Sequence, residues 1–321
     1  MDIHRRRKLG WKRGLRACPL YRWRSSLRLI VMMIVALALA ASPVGGQKFE
    51  GSKRSGRTTP FILVLPAYRE SNALIEAWNS GLGKPFDLVV YMPTPEDMRD
   101  PSRLERHFAR LRVGEHAWVT PSFALVQSGE AKIPATVKWF FYDPEPWAHT
   151  PREELENLVA TSKAIRAFCD ERGMKAGITP IYPRIEDFFN VEEIAQVARY
   201  YDAYIVQAQD IQKNPMERER LVKFLRELKE AIHRVNPRCL IGIQLGAADR
   251  YGNGSPLSGV RAAMALYEAT RDFVQIYTAW WEPDEQRMIE LLRRMEASNG
   301  DSFTIRRDSD VSRETKTGGR P

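Results

Sequence analysis

The chain has little with which to bind a metal or a dinucleotide. Its 321 residues include five histidines and three cysteines, and these are scattered without the spacing of a metal site. No glycine-rich fingerprint follows the first strand-like run, where Pro66-Ala67-Tyr68 stands instead, so the nucleotide-binding turn of an open doubly wound sheet is missing. Neither a metal nor another cofactor is implied. Net positive charge is also missing outside one segment. The net charge is +9, but ten of the 49 bases and one of the 40 acids fall within residues 1–28, which leaves the remainder neutral. A nucleic-acid partner is therefore excluded for the folded part. No internal repeat is evident.

The basic segment precedes an uncharged apolar run at 29–41, which ends in Ala38-Leu39-Ala40. A basic region, a short apolar run and small residues together describe a secretory signal peptide over 1–42. The run is shorter than the roughly 20 residues a spanning helix requires. The expectation is export, to the periplasm or outside the cell. In the alternative, an uncleaved anchor leaves the barrel outside and is its only tie to a membrane. Residues 43–58 read as a linker, and 299–321, polar and almost without apolar residues, as a disordered tail.

Between them, hydrophobic runs alternate with helical patterns. Strands are expected at 61–65, 86–91, 117–120, 139–142, 176–179, 203–207, 240–244 and 273–279. Helices are expected at 71–80, 95–111, 151–172, 191–200, 216–235, 259–271 and 285–296, with a weaker connection at 123–127. Thr150-Pro151-Arg152-Glu153 reads as an N-cap, a first-turn proline and a capping-box acid. Eight strands and eight helix-length segments over 59–298 predict an α/β fold, a single (β/α)8 barrel of TIM type. Cys169 and Cys239, three barrel sectors apart, are expected to be free thiols, since a disulfide needs Cα atoms within about 7 Å.

In such a barrel, chemistry stands at the C-terminal strand ends. The fourth strand is the most informative. Trp139–Tyr142 is aromatic throughout and suits a strand buried on both faces; Pro144 and Pro146 then stop it. Asp143 and Glu145, two residues apart in extended chain, point to one side. Glu282 after the eighth strand is a third candidate acid. Tyr68, Trp147, Tyr182, Gln207, Gln209, Gln244, Tyr277, Trp280 and Trp281 complete a rim rich in aromatics and amides, as a carbohydrate ligand would require. The plain alternatives are a strand-ending turn for Asp143 and barrel packing for the tryptophans. Gly252-Asn253-Gly254-Ser255 follows the seventh strand, where barrels often hold phosphate, or simply forms a turn.

Pro144-Glu145-Pro146 resembles the Asn-Glu-Pro at the fourth strand of a large clan of barrel glycoside hydrolases, with proline in place of the asparagine. Asp143-Pro144-Glu145 is similar to the Asp-x-Glu of chitinase-like barrels, although Phe141 stands where their longer motif has another Asp. Tyr142 to Trp147 also resembles the strand end of exported bacterial barrel proteins. The resemblance implies a polysaccharide or glycan substrate, Glu145 as general acid, and Asp143 as an orienting or charge-supporting group. It also implies a carboxylate nucleophile at the seventh strand, where Gln244 stands and cannot serve. Three readings follow: a glycoside-hydrolase-like enzyme, a glycan- or cell-wall-binding barrel that does not cut, and, ranked lowest, a phosphosugar enzyme.

The N-terminal reading is directly testable. N-terminal sequencing of the exported protein should begin close to residue 41. Full-length chain recovered in the membrane fraction would instead establish the anchor.

Overall fold

In a computed structural model, residues 59–67, 69–145, 150–182 and 190–301 are described. The signal segment, the linker, the tail from 302 onward, Tyr68 and Trp147 lie outside them. Eight parallel strands form a closed barrel in sequence order. They are β1 (Phe61–Pro66), β2 (Leu88–Met92), β3 (Glu115–Thr120), β4 (Val137–Tyr142), β5 (Lys175–Ile178), β6 (Ala203–Gln207), β7 (Leu240–Gly246) and β8 (Ile276–Trp280). Pairing of β1 with β8 closes the ring. All eight expected strands are present, and the architecture is a TIM barrel.

Strict alternation divides the apolar residues of the strands into two sets. Ile62, Val64, Leu88, Val90, Ala117, Trp139, Phe141, Ala203, Ile205 and Ile276 pack only on other strand residues and fill the barrel interior. Their neighbours, such as Leu63, Val89, Trp118, Phe140, Tyr204 and Tyr277, pack against the helices outside. Burial of β4 on both faces thus follows from its place in the ring.

The interior is dominated by one strand. Trp139 and Phe141 stack with centroids 5.8 Å apart and planes 9° from parallel. Below them, the Trp139 indole donates to Glu115 at 2.7 Å, and the Lys175 ammonium lies 4.8 Å from its ring. Rings of this size fit only because other strands present small residues. Gly177 is the β5 partner of Phe141 in register, and a Cβ there would overlap the Phe141 ring. Gly242 likewise leaves space for Ile205 and Ile276.

The helices are α1 (Asn72–Ala77), α2 (Pro95–Arg99), α3 (Pro101–Phe108), α4 (Ala124–Gln127), α5 (Arg152–Glu156), α6 (Leu158–Glu171), α7 (Val191–Ala198), α8 (Pro215–Val235), α9 (Ser258–Thr270) and α10 (Glu285–Asp301). Two differ from expectation by a break. The stretch 95–111 divides at Asp100, which is held extended (φ −123°, ψ 90°) by the proline that follows and caps α3 through Ser102 N–H. The stretch 151–172 divides at Asn157 (φ −120°, ψ 39°). Residues 273–275 belong to a turn after α9, where Phe273 and Val274 N–H donate to Thr270 O, so β8 starts three residues later than expected. α8 buries Leu221, Phe224, Leu225, Leu228 and Ile232 as its periodicity predicts. Among the described residues, no helix is long and apolar enough to cross a membrane.

Cys169 and Cys239 are both free and buried, and burial pushes each thiol up to about 12. Asn253 accepts from the Ser255 N–H and hydroxyl, and Gly254 has φ +84°. The Gly-Asn-Gly-Ser segment is thus built as a turn.

Gly177→Ala tests the packing. The added methyl must displace a buried ring, so the variant should lose about 1–3 kcal/mol, and Phe141→Leu in the same chain should restore part of it. Denaturant unfolding of the two single variants and the double variant measures the coupling.

Candidate active site at the barrel mouth

The alternation that buries Trp139 and Phe141 carries on past the end of β4. Asp143 is the next inward position, and its N–H still donates to Thr120 O at 2.9 Å, as a ladder residue would. Two residues on, the Glu145 N–H donates to the Thr150 hydroxyl at 2.9 Å. Thr150 therefore anchors the acidic loop and does not cap a helix: the residue before α5 is Pro151. Glu154, one position beyond the expected capping acid, accepts from the N–H groups of Phe123 and Ala124 and from the Ser122 hydroxyl. It ties the β3 and β4 loops together.

Asp143 is held by one of its oxygens. Oδ1 accepts from the Thr179 hydroxyl at 2.8 Å and from Gln207 Nε2 at 2.7 Å. Gln207 Nε2 also donates to Thr179 O at 2.7 Å. Gln207 Oε1 accepts from Gln244 Nε2 at 3.1 Å and Gln209 Nε2 at 3.2 Å. Burial pushes the Asp143 carboxyl up to about 8, helped by the nearby Glu145 charge and opposed by the Thr179 and Gln207 hydrogen bonds. With Oδ1 already accepting two donors, the proton of the neutral acid belongs on Oδ2. Its surroundings thus favour the neutral acid, in a setting of the kind that keeps catalytic acids protonated.

These groups face a cavity of about 300 Å³. Asp143, Glu145, Thr179, Gln244, Thr278 and Trp280 supply its polar and aromatic lining; aliphatic and methionine side chains such as Val64, Val90, Met92, Met98 and Val119 supply the rest. A mostly apolar pocket with a few convergent polar groups is the usual form of a ligand site. Among the described residues, no cluster of His, Cys, Asp and Glu could hold a metal ion.

Asp143, Glu145, Gln244 and Trp280 therefore converge, with Gln207 and Gln209 bonded behind them. Other rim residues do not join. Tyr182 is buried outside the barrel against Phe224 of α8, with centroids 5.1 Å apart. Tyr277 takes the outward parity of β8, its ring 4.7 Å from Tyr267 and its hydroxyl 3.0 Å from Thr270. Trp281 packs on the outer core, with the Arg69 guanidinium 5.7 Å from its ring. Glu282 lines a separate cavity with Arg250, Asp249, Asp284 and Arg287. It is buried and paired with Arg250 at 3.1 Å. Burial pushes its carboxyl up to about 7, against the pull of Arg250 and Arg287. Inward parity marks Thr179 and Thr278 for the site, although neither is among the expected site residues; for Thr150, expected as a helix N-cap, nothing local marks the contact with Glu145.

No protein-family model matches the chain, and no curated protein matches it in sequence. Solved structures with similar backbones include the N-terminal domain of a putative aldolase from Bacteroides vulgatus, at TM-score 0.45 and 11% identity over 77% of this chain and 87% of that one. Orotidine 5'-monophosphate decarboxylase from Sulfolobus solfataricus gives 0.42 and 11% over 76% and 99%. A tamarind chitinase-like lectin gives 0.41 and 14% over 75% and 98%. Similarity at this level does not bear on substrate or activity.

The raised acid gives a pH signature. A carboxyl that titrates near 8 when folded and near 4 when unfolded binds more protons in the folded state between those values. Its contribution to stability is complete below pH 4 and is lost as pH rises towards 8. Asp143→Asn removes this dependence while preserving the acceptor for Thr179 and Gln207. Thermal melts should show the variant gaining on the wild type as pH rises from 5 to 9. Parallel curves would mean that Asp143 is ionised throughout.

Proposed function

We propose that the mouth binds a carbohydrate, and that Asp143 and Glu145 act on it as an acid pair holding one proton. The observation that carries this reading is the Asp143 carboxyl, pushed up to about 8 beside Glu145 in a largely apolar cavity. Two carboxyls that close do not ionise together readily, so one stays an acid while the other is a carboxylate. Trp280 and the aliphatic wall suit the apolar face of a sugar ring, and the amides and threonines suit its hydroxyls.

The chemistry assigns the roles by environment. Asp143 passes the Oδ2 proton to the glycosidic oxygen as the bond from that oxygen to the sugar carbon breaks. The positive charge that develops on the sugar faces the Glu145 carboxylate. Water then adds to the carbon, and its proton returns to Asp143. This exchanges the roles that the family resemblance implies for the two acids. Loss of the Asp143 proton above about pH 8 should abolish turnover.

A second reading is favoured by a specific observation. The carboxylate expected across the mouth is an amide, Gln244, and Glu282 is committed to Arg250. Neither is available as the nucleophile or base of a two-carboxylate mechanism. A barrel that binds glycan and does not cut it has the same walls without that requirement.

A panel of oligosaccharides and polysaccharides, presented to the full chain, separates the two. Under the catalytic reading, Asp143→Asn and Glu145→Gln each lower turnover about 10²–10⁴-fold while binding persists. Under the binding reading no product forms, and Trp280→Ala weakens affinity more than either acid substitution. Neither hydrolysis nor binding across the panel would remove both.

A further inference from the structure

The amides at the mouth have a determined orientation. Gln207 confronts two acceptors, Asp143 Oδ1 and Thr179 O, so it must present its NH2 to them. Its Oε1 therefore turns towards β7 and receives the Gln244 NH2. Gln244 gives its remaining donor to Gln209 Oε1 at 3.4 Å. Its own Oε1 has no donor among the described residues. Beside it in the β7–β8 register stands Thr278, 3% exposed, lining the same cavity. The Thr278 hydroxyl has no hydrogen-bond partner among the described residues.

A buried hydroxyl without a partner is uncommon and costs about 1–3 kcal/mol. Here it adjoins an unused acceptor, at the wall of a cavity. One hydroxyl of a ligand would satisfy both: it would donate to Gln244 Oε1 and accept from Thr278 Oγ1. The rest of the lining limits what carries that hydroxyl. Hydrogen-bonding groups run from β4 to β8, through Asp143, Thr179, Gln244 and Thr278. The opposite wall, from β1 to β3, offers Val64, Val90, Met92 and Val119.

We propose that Thr278 and Gln244 form a recognition pair for a ligand hydroxyl, and that the mouth selects an amphiphilic molecule with its hydroxylated edge on β4–β8 and its hydrocarbon on β1–β3. This rests on the mouth being the binding site, and it names the kind of molecule taken there. A sugar bearing an alkyl group fits better than a free, fully hydroxylated one.

Thr278→Val keeps the shape and removes the hydroxyl. In the ligand-free protein, its melting temperature should equal or exceed that of the wild type, because an unsatisfied group is lost. A clear fall would mean that water or another internal partner holds the hydroxyl, and would overturn the proposal. Binding is then measured by calorimetry with hexyl β-D-glucoside, methyl β-D-glucoside and 1,2-hexanediol. The hexyl glucoside should bind more tightly than the methyl glucoside. Thr278→Val should weaken the hexyl glucoside about tenfold, as loss of one hydrogen bond predicts, and Thr278→Ser should restore most of it. Glucoside affinity unchanged by Thr278→Val would sink the pair and leave the carbohydrate reading standing. Threonine-dependent binding of hexanediol with no binding of either glucoside would do the reverse. No binding of any of the three to the wild type would overturn both.

Discussion

Much of this structure depends on how the barrel interior is filled. Two stacked rings from one strand, Trp139 and Phe141, occupy space that several strands would ordinarily share. Gly177 yields to the Phe141 ring, and Ala117 and Ala203 are small members of the same interior set. Because side chains on a strand return to the same face every second residue, the position above those rings is Asp143. The acid is set on an aromatic floor by the packing that closes the barrel. Its low charge tolerance and its position have one cause.

Two carboxyls near the mouth, Asp143 half-buried and Glu282 buried, show how neighbours decide what an acid can do. Asp143 and Glu282 are both pushed up by burial. Among the described residues, Asp143 meets neutral donors and a second carboxylate, so its acidic form is favoured. Glu282 meets Arg250 and, further off, Arg287, which is itself held by Asp249 and Asp284. The first setting favours a protonated acid; the second holds Glu282 in an ion pair that joins the β7 and β8 loops. Distance from the strand end does not separate them, but the charges facing them do.

The barrel was legible because eight apolar runs separated by helix-length segments leave few other topologies. Helix breaks were less so: Asp100-Pro101 carries a local signal, whereas Asn157 does not. At the site, Asp143, Glu145, Gln244 and Trp280 could be read from strand ends. Parity was the missing step. Counting β8 inward from Trp280 gives Thr278 and Ile276 and sends Tyr277 outside. An aromatic residue near a strand end is thus evidence for a rim only when its parity is inward. The Thr150 contact with Glu145 depends on how a loop folds back, and no periodicity predicts that.

The way Asp143 is held bears on speed as well as on acidity. Oδ1 receives both fixed donors whether or not Oδ2 carries its proton, and Gln207 faces the same two acceptors in either state. A proton can therefore leave and return without any side chain turning over. In water, the same transfer would require dipoles around the acid to rearrange each time. The amide chain behind Asp143 is already arranged for both states, so the reorganisation that accompanies a change of charge is small.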